Sequence, residues 1–258
     1  MELRQAVVCV GLLALAACSA EASAPAPKEL LPDLDQAPPA AISVVQQNGR
    51  ERLVFLSAVE NGGTGPLLVS GSRRNQDQSE MTAAQRIRKT DGSTTTRPLR
   101  ARLRFVVSET HRHWHLLGFE RYELHTLDGE QVGRDRKTGF CLGDRYDAHA
   151  TERLPGEPPR AVWTQECGRG QSERLRIEEG LSPGYGDDYV PLLEGQYIDV
   201  TVLPAGRYVL VHRVNADRDI REASYSNNAA SALLELRRED GKVTVRVLRT
   251  CLDAAFCG

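Results

Sequence analysis

Three of the six histidines of this 258-residue chain lie within five residues, at His111, His113 and His115. The residues on either side of them alternate between apolar and polar, a pattern typical of β-strands. Because successive side chains of a strand point to opposite faces, all three imidazoles should project from one face. Neutral imidazole binds copper, zinc, iron and nickel, so this spacing predicts a transition-metal site.

Strand geometry sets a condition on that site. The Cα atoms of His111 and His115 would lie about 13 Å apart on a straight strand. An imidazole nitrogen binds its metal at about 2 Å, so the two outer side chains would reach a common ion only at full stretch. We therefore expect the strand to bend or bulge at this point.

Composition excludes several classes of protein. With 40% hydrophobic and 26% charged residues, the chain matches ordinary globular domains. Its formal net charge of −2, without a block of Lys and Arg, gives no reason to expect nucleic-acid binding. After residue 20, no segment has the apolar length of a membrane helix.

The N-terminus is typical of an export signal. Residues 6–17 form an almost wholly apolar run that is too short to cross a bilayer. The run ends in Leu-Ala-Ala followed by Cys18, which looks like the lipobox of a bacterial lipoprotein. We expect residues 1–17 to be a signal peptide and Cys18 to carry the lipid that anchors an exported protein in the cell envelope. Residues 18–28 would be a flexible tether, and secretion after cleavage at Ala24 is the alternative.

Export also implies an oxidising compartment, in which disulfides form. Apart from Cys18 and the cysteine within the signal, four cysteines remain, and four cysteines allow three pairings. We favour the pairs that are nearest in sequence: Cys141–Cys167 and Cys251–Cys257.

Strand-like alternation recurs through the rest of the chain, at residues 52–56, 102–107, 117–124, 197–202, 208–211 and 242–247. Turn signals such as Asp128-Gly129 and Asp240-Gly241 separate these runs. The best helical candidate is residues 81–89. These patterns predict a mainly β fold, an antiparallel β sandwich with long irregular loops and few short helices. Residues 143–195 show no sustained period and should form a long functional loop.

The histidine triplet and five later segments resemble, in the same order, the lysyl oxidase family. The triplet is similar to the copper-binding His-x-His-x-His of that family. The later segments are residues 137–142, 181–189, 196–201, 214–215 and 222–228. The resemblance extends from about Leu31 to Cys251 and is densest between His111 and Asn228.

The resemblance implies a copper-dependent amine oxidase domain over residues 29–258. His111, His113 and His115 would bind Cu²⁺, which with oxygen would oxidise Tyr189 to a quinone. The ε-amine of Lys137 would then add to the ring and give the cofactor lysyl tyrosylquinone (LTQ). Only a neutral amine is nucleophilic, so Lys137 must lose its proton for this step.

The family chemistry is that of a protein-lysine 6-oxidase. Primary amines, either peptidyl lysine or small amines, would be oxidised by O₂ to aldehydes, with release of hydrogen peroxide and ammonia. The cofactor supplies the difficult step, and the protein supplies position and proton transfer. Asp187 and Asp188 are the candidates for the base or for attracting a cationic amine.

A calcium ion is a second cofactor implied by the family. Its ligands would come from an N-terminal Pro-Asp-Leu and from the C-terminal signature, since oxygen atoms suit Ca²⁺. Here these are Asp33, Leu34, Glu222, Asn227 and Asn228. Ser224 stands where the family has an aspartate, and the loss of that carboxylate weakens the site or leaves it empty.

Two other functions compete with an amine oxidase. Three imidazoles and an activated water could make a zinc or copper hydrolase, although that function leaves Lys137 and Tyr189 unexplained. A non-catalytic extracellular metal-binding module on the same fold is the other alternative.

Overall fold

The computed structural model describes residues 25–108, 111–137, 139–149 and 151–257. The predicted signal peptide, with the lipidation site Cys18, lies outside these residues and stays a prediction. Within the described chain, no helix is both long and apolar enough to cross a bilayer.

The described chain is built almost wholly of antiparallel strands, as predicted. The strands are β1 Glu29–Leu30, β2 Leu34–Gln36, β3 Ala40–Gln47, β4 Arg50–Asn61, β5 Leu67–Ser72, β6 Glu80–Lys89, β7 Thr94–Val107, β8 Arg112–Leu117, β9 Glu120–His125, β10 Gln131–Arg134, β11 Gly139–Phe140, β12 Tyr146–Asp147, β13 Arg176–Leu181, β14 Tyr185–Tyr189, β15 Tyr197–Asp199, β16 Gly206–Val214, β17 Ala229–Glu239 and β18 Lys242–Cys251. Among the described residues, the one helix is the 3₁₀ turn Leu193–Gly195.

The strands form three sheets. The first has the order β11-β8-β7-β6-β5-β13, with β1 added to β6, and the second has the order β10-β9-β16-β17-β18. The third has the order β12-β14-β4-β15, and β2 and β3 also pair with β4. The long strand β4 therefore has two halves: the first lies between β3 and β15, and the second between β2 and β14.

One apolar cluster joins the three sheets into a single core. It contains Leu103 and Trp114 from the first sheet, Tyr122 and Leu210 from the second, and Phe55 from the third. The ring of Phe55 meets that of Tyr122 edge-on, with centroids 4.9 Å apart. The mainly β, antiparallel class predicted from the alternating patterns is confirmed.

Tight turns join neighbouring strands where the sequence predicted them. Asp240 and Gly241 connect β17 to β18 and have φ angles of 49° and 77°. Two central residues with positive φ are what a two-residue hairpin of type I′ requires, and Asp-Gly meets that requirement at low cost. Gly129, in the turn between β9 and β10, also has a positive φ of 90°.

The prediction of a helix at residues 81–89 is wrong, because this segment is strand β6. Its buried residues are Met81, Ala83, Gln85 and Ile87, which is a period of two. Gln85 conceals that period in the sequence, since a polar residue occupies a core position. Its amide is satisfied there by the backbone of Arg221, through bonds of 2.7 and 2.8 Å.

The predicted long loop is less irregular than expected. Residues 143–195 contain β13, which closes the edge of the first sheet, and β14, which lies next to the central strand β4. Their hydrophobic alternation is concealed by Glu179 and Asp187, two carboxylates that face inward and are fully buried. Between β12 and β13 the chain is irregular, in agreement with the prediction.

The position of Phe55 predicts a large loss of stability on truncation. We expect Phe55→Ala to lower the free energy of unfolding by about 3–5 kcal/mol, because it removes a fully buried ring from the shared core. Val202→Ala is the control, since Val202 is 88% exposed and should change stability by less than about 0.5 kcal/mol. Urea unfolding measures both, and similar values for the two variants would contradict the proposed core.

Candidate functional site

The histidine triplet lies at the start of β8, between β7 and β11. The register with β7 runs without a shift from Arg112 to Leu116, so the paired stretch contains no bulge. The strand begins instead at Arg112, and His111 precedes it. The N–H of Ser108 donates to the carbonyl of His111 at 2.7 Å, which holds the chain at that point.

This arrangement brings the three imidazoles together. The ring centroids of His111 and His115 are 5.4 Å apart, and His113 lies 4.8 Å from the first and 4.7 Å from the second. One nitrogen from each ring can be chosen so that all three lie within 4.8 Å of one another. The condition set by strand geometry is therefore met by the position of His111 outside the strand.

Burial keeps the three rings neutral. Desolvation lowers the pKa of His111 and of His113 to about 4 and that of His115 to about 2. The charge of Lys137 also contributes to each of these lowered pKa values. A metal ligand must present a lone pair, so these rings are ready to bind a cation at neutral pH.

His113 shows that the triplet fits a metal ion. Both of its ring nitrogens are buried, and neither forms a hydrogen bond with any described residue. A buried polar atom without a partner is costly, and a bound ion would remove that cost. The three imidazoles could thus hold a transition-metal ion.

Lys137 is buried beside the triplet. Its segment is fixed by two bonds: the N–H of Arg136 donates to the carbonyl of Gly195 at 3.1 Å, and the N–H of Lys137 donates to Asp135 at 3.1 Å. Gly195 has a φ of 80° and lies against the backbone of Arg136, where a Cβ would be only 2.9 Å from the carbonyl carbon. A glycine is therefore required at this close approach.

The amine of Lys137 lies close to two aromatic rings, those of Tyr189 and Phe140. Its Nζ is 5.0 Å from the centroid of that ring and 4.9 Å from the centroid of Phe140. The fold thus brings Lys137 and Tyr189, which are 52 positions apart in the chain, to the wall of the same cavity as the three histidines.

Tyr189 ends β14 and is held rigidly. Its backbone pairs with Ser57 of the central strand β4, and its ring packs edge-on against Phe140 at 4.8 Å. The hydroxyl lies within hydrogen-bonding distance of two acceptor oxygens: Asp187 Oδ2 at 2.7 Å and the carbonyl oxygen of Cys141 at 3.1 Å. Burial raises the pKa of the Tyr189 phenol well above its ordinary value.

The two aspartates before Tyr189 occupy different environments. Asp187 is fully buried, and desolvation raises its pKa to about 7, although its hydrogen bond from Tyr189 and the charge of Arg145 lower it. Asp188 is exposed and lines the cavity above the histidines. Only Asp187 touches the phenol, so the two aspartates can be assigned different tasks.

A cavity of about 220 Å³ joins these groups, and it is open on one side. It is lined by His111, His113, His115, Lys137, Cys141, Arg145, Glu166, Arg169, Asp188, Tyr189 and Leu193. The volume suits a small amine or the end of an extended side chain.

Both predicted disulfides are confirmed, Cys141–Cys167 and Cys251–Cys257. The first one borders the site. The carbonyl of Cys141 accepts from Tyr189, while the carbonyl of Cys167 accepts from the N–H of Trp114 in β8 at 3.0 Å. This disulfide therefore links the segment after Lys137 to the loop that covers the histidine strand.

The predicted calcium ligands also lie together. Glu222 accepts from the N–H of Leu34 at 2.9 Å and from the amide of Asn228 at 2.7 Å, and the amide of Asn227 donates to Asp33 at 3.1 Å. The amide oxygens of Asn227 and Asn228 are buried and have no hydrogen-bond partner among the described residues. Ser224 is half-buried, and among the described residues its hydroxyl bonds only locally, to Ser226.

Several buried polar residues near the site were not singled out from the sequence. Ser57, Glu120, Tyr122 and His212 form one network, in which the hydroxyl of Ser57 lies 2.9 Å from Glu120 and 3.0 Å from the ring of His212. Burial raises the pKa of Glu120 to about 7. A lone glutamate in an alternating strand pattern gives no sign that it faces the core.

Comparison with known proteins agrees with the earlier resemblance. The family profile described as lysyl oxidase matches residues 69–246. The chain is 30% identical over 143 residues to lysyl oxidase homolog 3A of Danio rerio, covering 54% of this chain and 17% of the relative. It is 29% identical over 142 residues to lysyl oxidase homolog 4 of Homo sapiens, covering 53% and 16%. The matched segment thus spans about a sixth of the length of these relatives.

The low pKa values of the histidines predict an unusual pH dependence for metal binding. An imidazole keeps its lone pair until the pH falls to its folded pKa, which here is about 4 or lower. Affinity for Cu²⁺ should therefore change little between pH 7 and about pH 5. An ordinary imidazole, by contrast, becomes protonated below about pH 6.5 and then binds metal weakly. Competition with a chelating dye measures this affinity.

Two variants control that experiment. His113→Gln should abolish tight binding, whereas His125→Gln should leave it unchanged, because His125 lies in β9 and bonds to Glu123 and Gly129. Equal affinities in these two variants would contradict the assignment of the site.

The calcium cluster leads to a gain-of-function prediction. Since Ser224 supplies no carboxylate, Ser224→Asp should increase calcium affinity by roughly tenfold or more, because affinity rises with the number of charged ligands. Calorimetry at calcium concentrations up to the millimolar range compares the variant with the unaltered protein. Absence of binding in both proteins would exclude the site.

Proposed function

The chain belongs to the lysyl oxidase family, and from this membership we propose that it is a copper-dependent amine oxidase that forms LTQ from Lys137 and Tyr189. The observation that carries the proposal is the position of Lys137 Nζ, 5.0 Å from the centroid of the Tyr189 ring in the same cavity as three converging imidazoles. A purely structural role for Lys137 would not explain why its amine lies beside both a tyrosine ring and three converging imidazoles.

The overall reaction would convert a primary amine, O₂ and water into an aldehyde, ammonia and hydrogen peroxide. Copper would supply the redox chemistry that turns the Tyr189 phenol into a quinone, and the quinone would accept electrons from the amine. The remaining tasks belong to the side chains. His111, His113 and His115 would hold the metal.

Proximity favours the cross-link. The Lys137 amine and the Tyr189 ring are both buried and packed against Phe140, so little motion separates them from bond formation. Holding two reactants in this way removes much of the entropy cost of their meeting.

Proton transfer would be divided between the two aspartates. Asp187 touches the phenol and is suited to take its proton. Asp188 is exposed at the cavity and is suited to attract a cationic amine or to take a proton from it. A negative charge at this exposed position would raise the local concentration of ammonium groups.

The other proposed partners are O₂ and a primary amine, which is either peptidyl lysine or a small amine. We also propose that the protein is exported and held on the membrane by lipid at Cys18, or else secreted. The two internal disulfides agree with an oxidising compartment.

Two alternatives keep the fold without this chemistry. A hydrolase would need only the metal and a water, and it gives no reason for a lysine beside a buried tyrosine. A non-catalytic metal-binding module would bind copper and release no peroxide. Neither alternative predicts peroxide release or a cross-link, so one experiment separates the amine oxidase from both.

The test is a peroxide-coupled screen of primary amines on the copper-loaded protein. We expect peroxide release and a cross-linked peptide that joins Lys137 to Tyr189, detected by mass spectrometry. Tyr189→Phe and Lys137→Met should lose both, because each removes one half of the cofactor. Tyr185→Phe is the matched control, since Tyr185 lies on the same strand and is not among the residues that line the cavity.

A copper-loaded protein that releases no peroxide and contains no cross-link would contradict the proposed enzyme and leave the hydrolase and the binding module as the two alternatives. Peroxide release that survives in Tyr189→Phe would contradict the assignment of the cofactor.

A further inference from the structure

One charged side chain in the cavity, Arg145, has no task in the reaction described above. It follows the disulfide-bonded Cys141 in the chain, and its N–H donates to the carbonyl of Gly186 at 2.9 Å, which fixes its backbone to β14. Its side chain is 31% exposed, so it reaches inward from the cavity wall.

The guanidinium of Arg145 forms an ion pair with a fully buried carboxylate. Its Nε lies 3.4 Å from Asp187 Oδ1, and its Nη2 lies 3.4 Å from the sulfur of Cys141. The other oxygen of Asp187 accepts from the hydroxyl of Tyr189 at 2.7 Å and from the N–H of Gly143 at 3.1 Å. Asp187 thus lies between a cation and the phenol.

The surroundings of Asp187 make that cation important. Burial raises its pKa, and the carboxylate of Glu120 raises it further. Glu179 is a second buried carboxylate that interacts with Asp187, and the phenols of Tyr146 and Tyr189 also face it. The charge of Arg145 opposes these effects and lowers the pKa of Asp187.

We propose that Arg145 is a positioning residue that keeps Asp187 ionised and directed at Tyr189, so that this carboxylate can accept the phenolic proton when the cofactor forms. In this step the O–H bond of Tyr189 breaks and an O–H bond forms on Asp187. Neither Tyr189 nor Asp187 is oxidised or reduced in this proton transfer, and Arg145 keeps its own protons. The inference rests on the proposed function, because the proton must leave for Tyr189 to be oxidised.

The first test uses the metal-free protein and does not depend on activity. Carbon-13 NMR of the carboxyl groups, assigned with Asp187→Asn, follows the titration of Asp187. Removing an opposite charge at this distance should raise the pKa of Asp187 by about 1 to 3 in Arg145→Gln. Arg145→Lys should restore part of the difference. An unchanged titration in Arg145→Gln overturns the proposal.

The second test follows formation of the Lys137–Tyr189 cross-link by mass spectrometry after Cu²⁺ is added at different pH values. From a pKa of about 7, a rise of one lowers the ionised fraction at pH 7 roughly 5-fold, and a rise of two lowers it about 50-fold. Cross-linking in Arg145→Gln should fall by that factor and recover as the pH is raised through the new pKa. Arg145→Lys should lie between the two proteins.

Arg153→Gln is the matched control, because Arg153 also pairs with a buried carboxylate, that of Glu157 at 3.3 Å, but does not line this cavity. It should cross-link at the unaltered rate. A pH-independent loss in Arg145→Gln, with equal loss in Arg145→Lys, would show a merely structural role and overturn the proposal. If the unaltered protein itself forms no cross-link, the proposed function fails, and the NMR titration still decides whether Arg145 controls Asp187.

Discussion

Burial removes water from the three imidazoles and from the Tyr189–Asp187 pair, and the lost solvation decides which protonation states the site can hold. The imidazoles stay neutral because a positive charge on one of them would be poorly solvated. It would also be repelled by the neighbouring cationic groups, including Lys137. The Asp187 carboxylate carries its charge in the same dry region only with help from a cation and from hydrogen-bond donors. Other features of the site can be understood as ways of meeting that constraint.

The fold meets it by joining parts of three sheets around one core. Strand β8 supplies two imidazoles on one face and Trp114 on the other, where Trp114 packs into the core. Strand β14 carries Asp187 and Tyr189, and pairing with the central strand β4 prevents either from moving toward solvent. The Cys141–Cys167 disulfide borders the cavity. Paired strands and this disulfide thus hold reactive groups in place that would otherwise lower their free energy by becoming hydrated.

Sequence patterns predicted the strands well where one face is apolar and failed where a polar residue faces inward. The alternation before the histidines, at residues 102–107, and the Asp240-Gly241 hairpin have local causes and were readable. The sequence pattern of strand β6 resembles a helix because the polar Gln85 occupies a core position. Strand β14 falls within the predicted loop because the charged Asp187 also occupies a buried position. In both cases the partner that makes burial tolerable, Arg221 or Arg145, is distant in the chain or gives no periodic signal.

The sequence by itself determined the residue types and spacing on which the chemistry depends: the alternating His111, His113 and His115, the segments around Lys137 and Tyr189, and an even set of cysteines. Only the tertiary structure decided that His111 lies outside the strand, that Lys137 Nζ lies over the Tyr189 ring, and that Asp187 rather than Asp188 touches the phenol. The physical reason is that spacing along a strand fixes direction over a few residues. Contact between residues 52 positions apart depends instead on how separate sheets pack and on which groups that packing deprives of water.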